Sequence, residues 1–335
     1  MASVGRGRRA VAAVGVAVAA LVLCGAAALA LWSPGADVRD GRHDKGRHAI
    51  WIGHGWLGDD GWFEQYAKDP EEFRSVERIE AMASRLRDHR IADVYPHLCP
   101  SSPQGDIAPV DGAQVERLLD ATEGLRVMPW VGGAWGHQAH PEREGWRRRF
   151  AGSIADLLRA HPRLAGVHIN IEPVPSGSAA FLEVLEAVRA ALPEGKVLSV
   201  SAHPPPLSLP LPKTGWEYGY FAEVAARSDQ IAVMAYNTGL VHPKLYQAQV
   251  ASWTRGVLQA SDEAEILIGV PTYDDEGVHH LASVEKVDSA LLGIHAGLLD
   301  SGAPAHYQGA ALYSAWEMDE GEWAAFRRHM LAPAP

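Results

Sequence analysis

Residues 166–173 read GVHINIEP. In an extended strand successive side chains point to opposite faces. Val167, Ile169 and Ile171 therefore share one face, while His168, Asn170 and Glu172 share the other. The apolar face suits packing beneath helices. The polar face is expensive to bury unless every group finds a partner. Such a row belongs either to an internal hydrogen-bond network or to a site, and the position of Glu172 at the C-terminal end of the run favours a site.

This run is the fourth of eight short apolar runs: 48–56, 91–98, 125–133, 164–173, 196–204, 230–239, 265–273 and 309–319. Each has the length of a strand and is bounded by turn formers. Amphipathic stretches lie between them, among them 71–89, 146–161, 181–192 and finally 321–331, with apolar residues recurring at three and four spacing. Eight strand–helix alternations predict an α/β fold, a (β/α)8 TIM barrel forming a single domain over 48–335. The competing arrangement, an open doubly wound sheet, lacks its usual glycine-rich fingerprint after the first run. A barrel of this kind gathers its site at the C-terminal ends of the strands. His54, Trp56, His97, Trp135, Glu172, His203, Tyr236, Asn237, Tyr273, Trp316 and Glu317 all fall there. The loop HPPPLSLPLPKTGW (203–216) is stiffened by proline and reads as a wall of the cleft or a cover for the rim.

Ahead of the barrel, Arg6, Arg8 and Arg9 precede an uncharged run from Ala10 to Trp32, long enough to span a bilayer. Residues 1–32 read as a signal peptide, with Ala28-Leu29-Ala30 as an acceptable cleavage site, or as a membrane anchor, the length of the run favouring the anchor. Either way the body is extracytoplasmic, and the membrane is met through this segment only. Cys24 follows Leu23 where a lipoprotein box needs a small residue, which argues against lipidation. Residues 33–47 are polar and glycine-containing and read as a flexible linker. Cys99 is the one cysteine of the exported body, so no disulfide forms within it and stability rests on the core. The net charge of −11 argues against nucleic acid, which demands a basic footprint. The 11 tryptophans are compatible with carbohydrate-facing surfaces as well as with core packing. No cofactor is expected, and the chain is expected to be a monomer.

The motifs, taken in order, resemble glycoside hydrolase family 18, the chitinases and their relatives. The fourth strand of that family reads D-G-x-D-x-D-x-E, its last Glu being the acid. Over residues 165–172 Gly166 and Glu172 match, whereas Ala165, His168 and Asn170 replace the aspartates. VGGAW (131–135) is similar to the family's S-x-G-G, with Trp130 in the place of the serine. MAYN (234–237) resembles M-x-Y-D, GVPTY (269–273) resembles G-x-P-x-Y, and SAWEMD (314–319) resembles the eighth strand that carries a tryptophan floor. The Asn-x-Glu pair is also similar to family 85, the endo-β-N-acetylglucosaminidases, in which the asparagine orients the substrate. The resemblance implies a glycan partner containing an N-acetylated sugar, β-linked N-acetylglucosamine in particular, and substrate-assisted retention. It implies Glu172 as acid/base, Asn170 and Tyr236 holding the acetamido group, Trp316 as an apolar floor, and Asn237, Tyr273, Trp135 and Trp56 as further sugar contacts. His168 reads equally as a support for Asn170, hence a substrate-site residue, and as a satisfied core histidine.

Three other readings stay open. A two-carboxylate glycosidase would pair Glu172 with Asp274 or Asp275. A non-catalytic sugar-binding barrel would explain the lost aspartates. A metal-dependent hydrolase would draw on His54, His97, His168 and His203, but the first run lacks a His-x-His pair, so no metal is expected.

Overall fold

The computed structural model describes residues 2–208 and 215–332, so residues 209–214 of the proline-rich loop lie outside the described residues. Nine parallel strands form one sheet: β1 (His48–Ile52), β2 (Ile91–Pro96), β3 (Arg126–Val127), β4 (Trp130–Ala134), β5 (Gly166–Glu172), β6 (Val197–Ala202), β7 (Gln230–Val233), β8 (Glu265–Pro271) and β9 (Tyr307–Tyr313). Their order is β3-β2-β1-β9-β8-β7-β6-β5-β4.

The two ends of that order, β3 and β4, are separated in the chain only by Met128 and Pro129. Proline has no N–H to give, so the ladder breaks there. Met128 N–H donates to Val94 O at 2.9 Å and Leu98 N–H to Trp130 O at 2.8 Å, while His168 N–H donates to Pro129 O at 2.9 Å. The interrupted run is thus bonded to β2 on one side and to β5 on the other, and the sheet closes. Nine segments fill eight positions, giving the (β/α)8 barrel expected from the eight runs.

The amphipathic stretches form helices Pro70–Arg74, Val76–Asp88, Glu144–Ala160, Ala179–Ala191 and Glu320–Met330. Val167, Ile169 and Ile171 join Phe150, Ile154, Phe181 and Leu185 in the apolar layer between strands and helices. A separate cluster fills the barrel interior, with Trp51, Tyr95, Met128, Trp130 and Leu267 among its members. The opposite pole of the barrel from the strands' C-terminal ends is polar. Asp93, fully buried, accepts from Arg126 at 2.5 and 2.7 Å and from Gln230 Nε2 at 2.6 Å. Burial pushes the Asp93 carboxyl upward and Arg126 opposes that shift.

Two features of the N-terminal region stand apart. The helix Ala2–Leu31 contains a stretch, Val14–Leu31, of mean hydropathy 2.6 with none of it buried, long and apolar enough to cross a membrane. The segment 33–47, expected to be a flexible linker, lies against the barrel. Val38 and His43 are buried. His43 Nδ1 meets His295 Nδ1 at 2.9 Å, Asp44 pairs with His48 at 3.1 Å, and Asp44 also pairs with Arg90. Its polar composition concealed these partners because most lie far away in the chain.

Replacing Arg126 by alanine strands the Asp93 carboxylate. The expected cost is about 3–5 kcal/mol, as for other buried ion pairs broken on one side. Adding Asp93→Asn should recover part of the loss, and urea unfolding of both variants measures it.

Candidate active site

The site begins where β4 and β5 pass each other. A side chain at Gly132, which has φ +137°, would place its Cβ 1.9 Å from Asn170 O. Only glycine permits that approach, which explains the first glycine of VGGAW. At the end of β5, Trp135 N–H donates to Glu172 O at 2.8 Å and fixes the backbone that carries the carboxyl.

Above the strand ends lies a cavity of about 380 Å³. Asn170, Glu172, Tyr236 and Asn237 all line it, together with Trp51, Trp130 and Tyr313. Glu172 is the one acidic side chain among its lining residues. The Glu172 carboxylate makes no hydrogen bond among the described residues. Asn170 Oδ1 is enclosed and has no donor. The Tyr236 ring lies along Tyr313, centroids 5.5 Å apart and planes 19° from parallel. Burial, with smaller contributions from Tyr313, Tyr273 and Glu172, holds the Tyr236 phenol well above its usual value, so it remains a proton donor at neutral pH.

Asn237 is held in an uncommon backbone conformation, φ +60°. Buried Glu285 supports it, accepting from Asn237 N–H at 2.6 Å, Thr238 N–H at 2.8 Å and Thr238 Oγ1 at 2.7 Å. Tyr273 donates its hydroxyl to Asn237 Oδ1 at 2.7 Å. It therefore orients Asn237 from outside the cavity lining. Glu285 was not anticipated; it lies far along the chain from the loop it holds.

A second cavity, about 690 Å³, adjoins the first and shares Trp130 and Tyr313 as a common wall. Trp56, Trp62, Phe73 and Trp316 give it aromatic sides. Trp316, expected as the apolar floor beneath the acetamido group, stands here instead and is 49% exposed. It lies three residues beyond β9, in the turn before the last helix. Tyr313, the final residue of β9, occupies the wall next to Glu172. Trp135 lines neither cavity and packs against the outer core.

Beneath the first cavity His168 is completely enclosed and stacks on Tyr95, with centroids 3.9 Å apart. Trp51 Nε1–H donates to His168 Nε2 at 3.1 Å, so Nε2 carries no proton and Nδ1 does. Nδ1–H then donates to Ser199 Oγ at 2.8 Å, and Ser199 donates to Gln230 Oε1 at 2.7 Å. Gln230 in turn donates to Asp93. Ser201, which lines the cavity, donates its hydroxyl to His168 Nε2 at 2.8 Å. His168 is thus a fully satisfied interior histidine, one hydrogen bond away from the cavity.

The remaining candidates are dispersed. Asp274 and Asp275 are exposed on the loop after β8, and neither lines the cavity that holds Glu172. His54 pairs with Asp59 at 3.0 Å and its ring lies 3.7 Å from that of His97 in the second cavity. His203 accepts from Val174 N–H at 3.3 Å in the first. No group of three or more metal-ligating side chains occurs among the described residues.

No protein-family model and no curated protein sequence matches the chain. Solved structures do. The chitinase of Chromobacterium violaceum superposes with a TM-score of 0.55 at 15% identity, covering 84% of this chain and 99% of that one. The spore cortex-lytic enzyme SleL of Bacillus cereus gives 0.54 at 11% identity, covering 84% and 75%. A class V chitinase of Pseudomonas fluorescens gives 0.53 at 16% identity, covering 84% and 99%. The barrel is chitinase-like in its fold.

Burial holds His168 and His97 down at about 3, and His295 at about 4. Each is neutral when folded and regains its ordinary value of 6.5 on unfolding. Unfolding below that value therefore takes up protons. Stability is full above it and falls with pH, each imidazole removing about 1.4 kcal/mol per pH unit until its folded value is reached. Urea midpoints measured from about pH 7.5 down to about pH 4.5 should decline steadily; a flat profile would contradict the neutral interior histidines.

Proposed function

We propose that this chitinase-like barrel is a glycoside hydrolase acting on glycans that contain β-linked N-acetylglucosamine, with Glu172 as its acid/base and the substrate's own acetamido oxygen as nucleophile. One observation carries the reading: a single carboxylate lines the cavity, on the same strand face as an asparagine whose carbonyl lacks a partner. The fold shared with chitinases and a cortex-lytic enzyme supports the substrate class.

Two-carboxylate glycosidases need a second carboxyl about 5–5.5 Å away for retention, or about 6.5–9.5 Å for inversion. The cavity offers none, so the internal nucleophile of an N-acetylated sugar fits its composition better. Protonated Glu172 gives its proton to the glycosidic oxygen as the bond to the anomeric carbon breaks. The acetamido carbonyl oxygen closes on that carbon, forming an oxazolinium ion. Water then attacks the same carbon, gives its proton to the Glu172 carboxylate, and the ring reopens with retained configuration. Asn170 and the Tyr236 phenol hold the acetamido group in its attacking rotamer, with Asn237 beside them. Tyr313 and Trp51 supply the apolar walls. Fixing an internal nucleophile in place is worth up to about 7–11 kcal/mol of the barrel's catalytic effect. The apolar N-terminal helix is compatible with export, which would place this chemistry outside the cytoplasm.

Glu172→Gln should lower kcat at least ~10²–10⁴-fold while the Kd for N-acetylated oligosaccharides stays within a few-fold. Asn170→Ala should lower kcat about 10²-fold through a misplaced nucleophile. Oligosaccharides lacking the 2-acetamido group should not be cleaved, and NMR of the first product formed should show the retained anomer. Substantial turnover by the Glu172→Gln variant, or equal cleavage without the acetamido group, defeats the assignment.

A further inference from the structure

The segment between the apolar helix and β1 gives the barrel a fixed attitude toward that helix. Helix Pro243–Ala260 follows β7, so its first turn belongs to the catalytic face; Tyr246 OH donates to Ala235 O at 2.8 Å just past the strand. Lys244, in that turn, donates its ammonium to Ser33 Oγ, two residues beyond the end of the apolar helix. From there the chain descends the side of the barrel. Gly35 passes so close to helix Val287–Ser301 that a Cβ would lie 2.3 Å from Leu292 O. His43 meets His295 of the same helix, and Asp44 reaches His48 and Arg90 at the N-terminal ends of β1 and β2. The apolar helix therefore joins the folded body at the rim of the catalytic face, and residues 33–47 strap that junction in place.

The same rim carries exposed apolar side chains. Val241 is 76% exposed and Val278 is 88% exposed. Gly239 N–H donates to His279 O at 2.8 Å, which brings their two loops together, and His279 and Asn237 line the cavity. Scattered exposed valines mean little alone. Here they sit on the loops that border both the cavity and the anchor's point of exit.

We infer that the barrel is held with the mouth of its cavity toward the bilayer in which the apolar helix is embedded, and that its substrate is a glycan displayed at that surface, attached to lipid. Val241 and Val278 meet the membrane interface. This rests on the proposed glycosidase and on retention of the N-terminal helix as an anchor. Asp274, Asp275 and Glu276 share the loop of Val278, so the contact is apolar and is weakened, not strengthened, by anionic lipid.

The test uses the full chain in phosphatidylcholine vesicles. An environment-sensitive fluorophore is attached at Val278→Cys, or at Glu194→Cys on the opposite pole, in a background in which Cys24 and Cys99 are both replaced by serine. The expected result is a blue-shifted emission quenched by spin-labelled lipid at position 278 and neither effect at 194. Equal, water-like signals at both positions overturn the inference. Activity gives an independent readout. The double variant Val241→Asp, Val278→Asp should cut turnover of a lipid-linked N-acetylated oligosaccharide in the vesicles several-fold. It should leave turnover of the free oligosaccharide unchanged; equal rates with wild type on the lipid-linked substrate count against the inference. Failure of wild type to cleave either substrate defeats the glycosidase reading, while the fluorescence result still decides the orientation.

Discussion

His168 is wholly enclosed, and an enclosed imidazole must find both a donor and an acceptor or lose the cost of desolvating each nitrogen. The barrel meets that demand with a column of neutral groups. Trp51 and Ser201 donate to one nitrogen, and Ser199 accepts from the other. Ser199 passes the chain to Gln230, and Gln230 ends it on the Asp93–Arg126 pair at the far pole. The column joins side chains of β1, β2, β5, β6 and β7 across the barrel interior. Since Trp51 and Ser201 also line the cavity, the site inherits its floor from the interior network. A conformational change at the floor would have to break interior hydrogen bonds first.

The column also settles the electrostatics above it. The resemblance drawn from sequence places aspartates where Ala165, His168 and Asn170 stand. Charges there would have had to share protons or pair with cations inside the barrel. The imidazole and the carboxamide leave Glu172 as the one acidic side chain among the cavity's lining residues. An asparagine can serve an acetamido group without help from its own protonation state, since one end accepts and the other donates. The loss of the aspartates is thus compatible with the proposed task being performed by a carboxamide.

The β5 alternation was legible because one strand face had to be apolar and the other polar, and the order of eight runs followed from chain periodicity. Four things escaped. Pro129 splits the third run, a break that the apolar pattern runs straight through. The eighth apolar run spans 309–319, but its strand ends at Tyr313. Asp319 and Glu322 form a capping box that starts the last helix, and that Asp-x-x-Glu pattern was a readable sign that 314–318 is a turn. The third is the segment 33–47. Local composition marks it as a linker, whereas its stability comes from His295, Arg90 and Ala332, partners that no local pattern reveals. Glu285 escaped for the same reason.

The shared wall between the two cavities bears on how a glycan is read. Trp130 and Tyr313 face both spaces, and Trp130 Nε1 is buried without an acceptor. On the proposed reading, a chain of sugars entering the first cavity would continue along that wall into the second. There Trp56, Trp62 and Trp316 present broad apolar faces suited to the flat sides of pyranose rings. On the proposed reading the chemistry belongs to the first space, where the carboxylate is, and the second contributes area. Binding energy gathered on aromatic faces remote from the bond being cut can be used to fix the acetamido group where it must attack. Under the proposed function that division would give Trp56, Trp62 and Trp316 a part in catalysis, although they stand outside the cavity that holds Glu172.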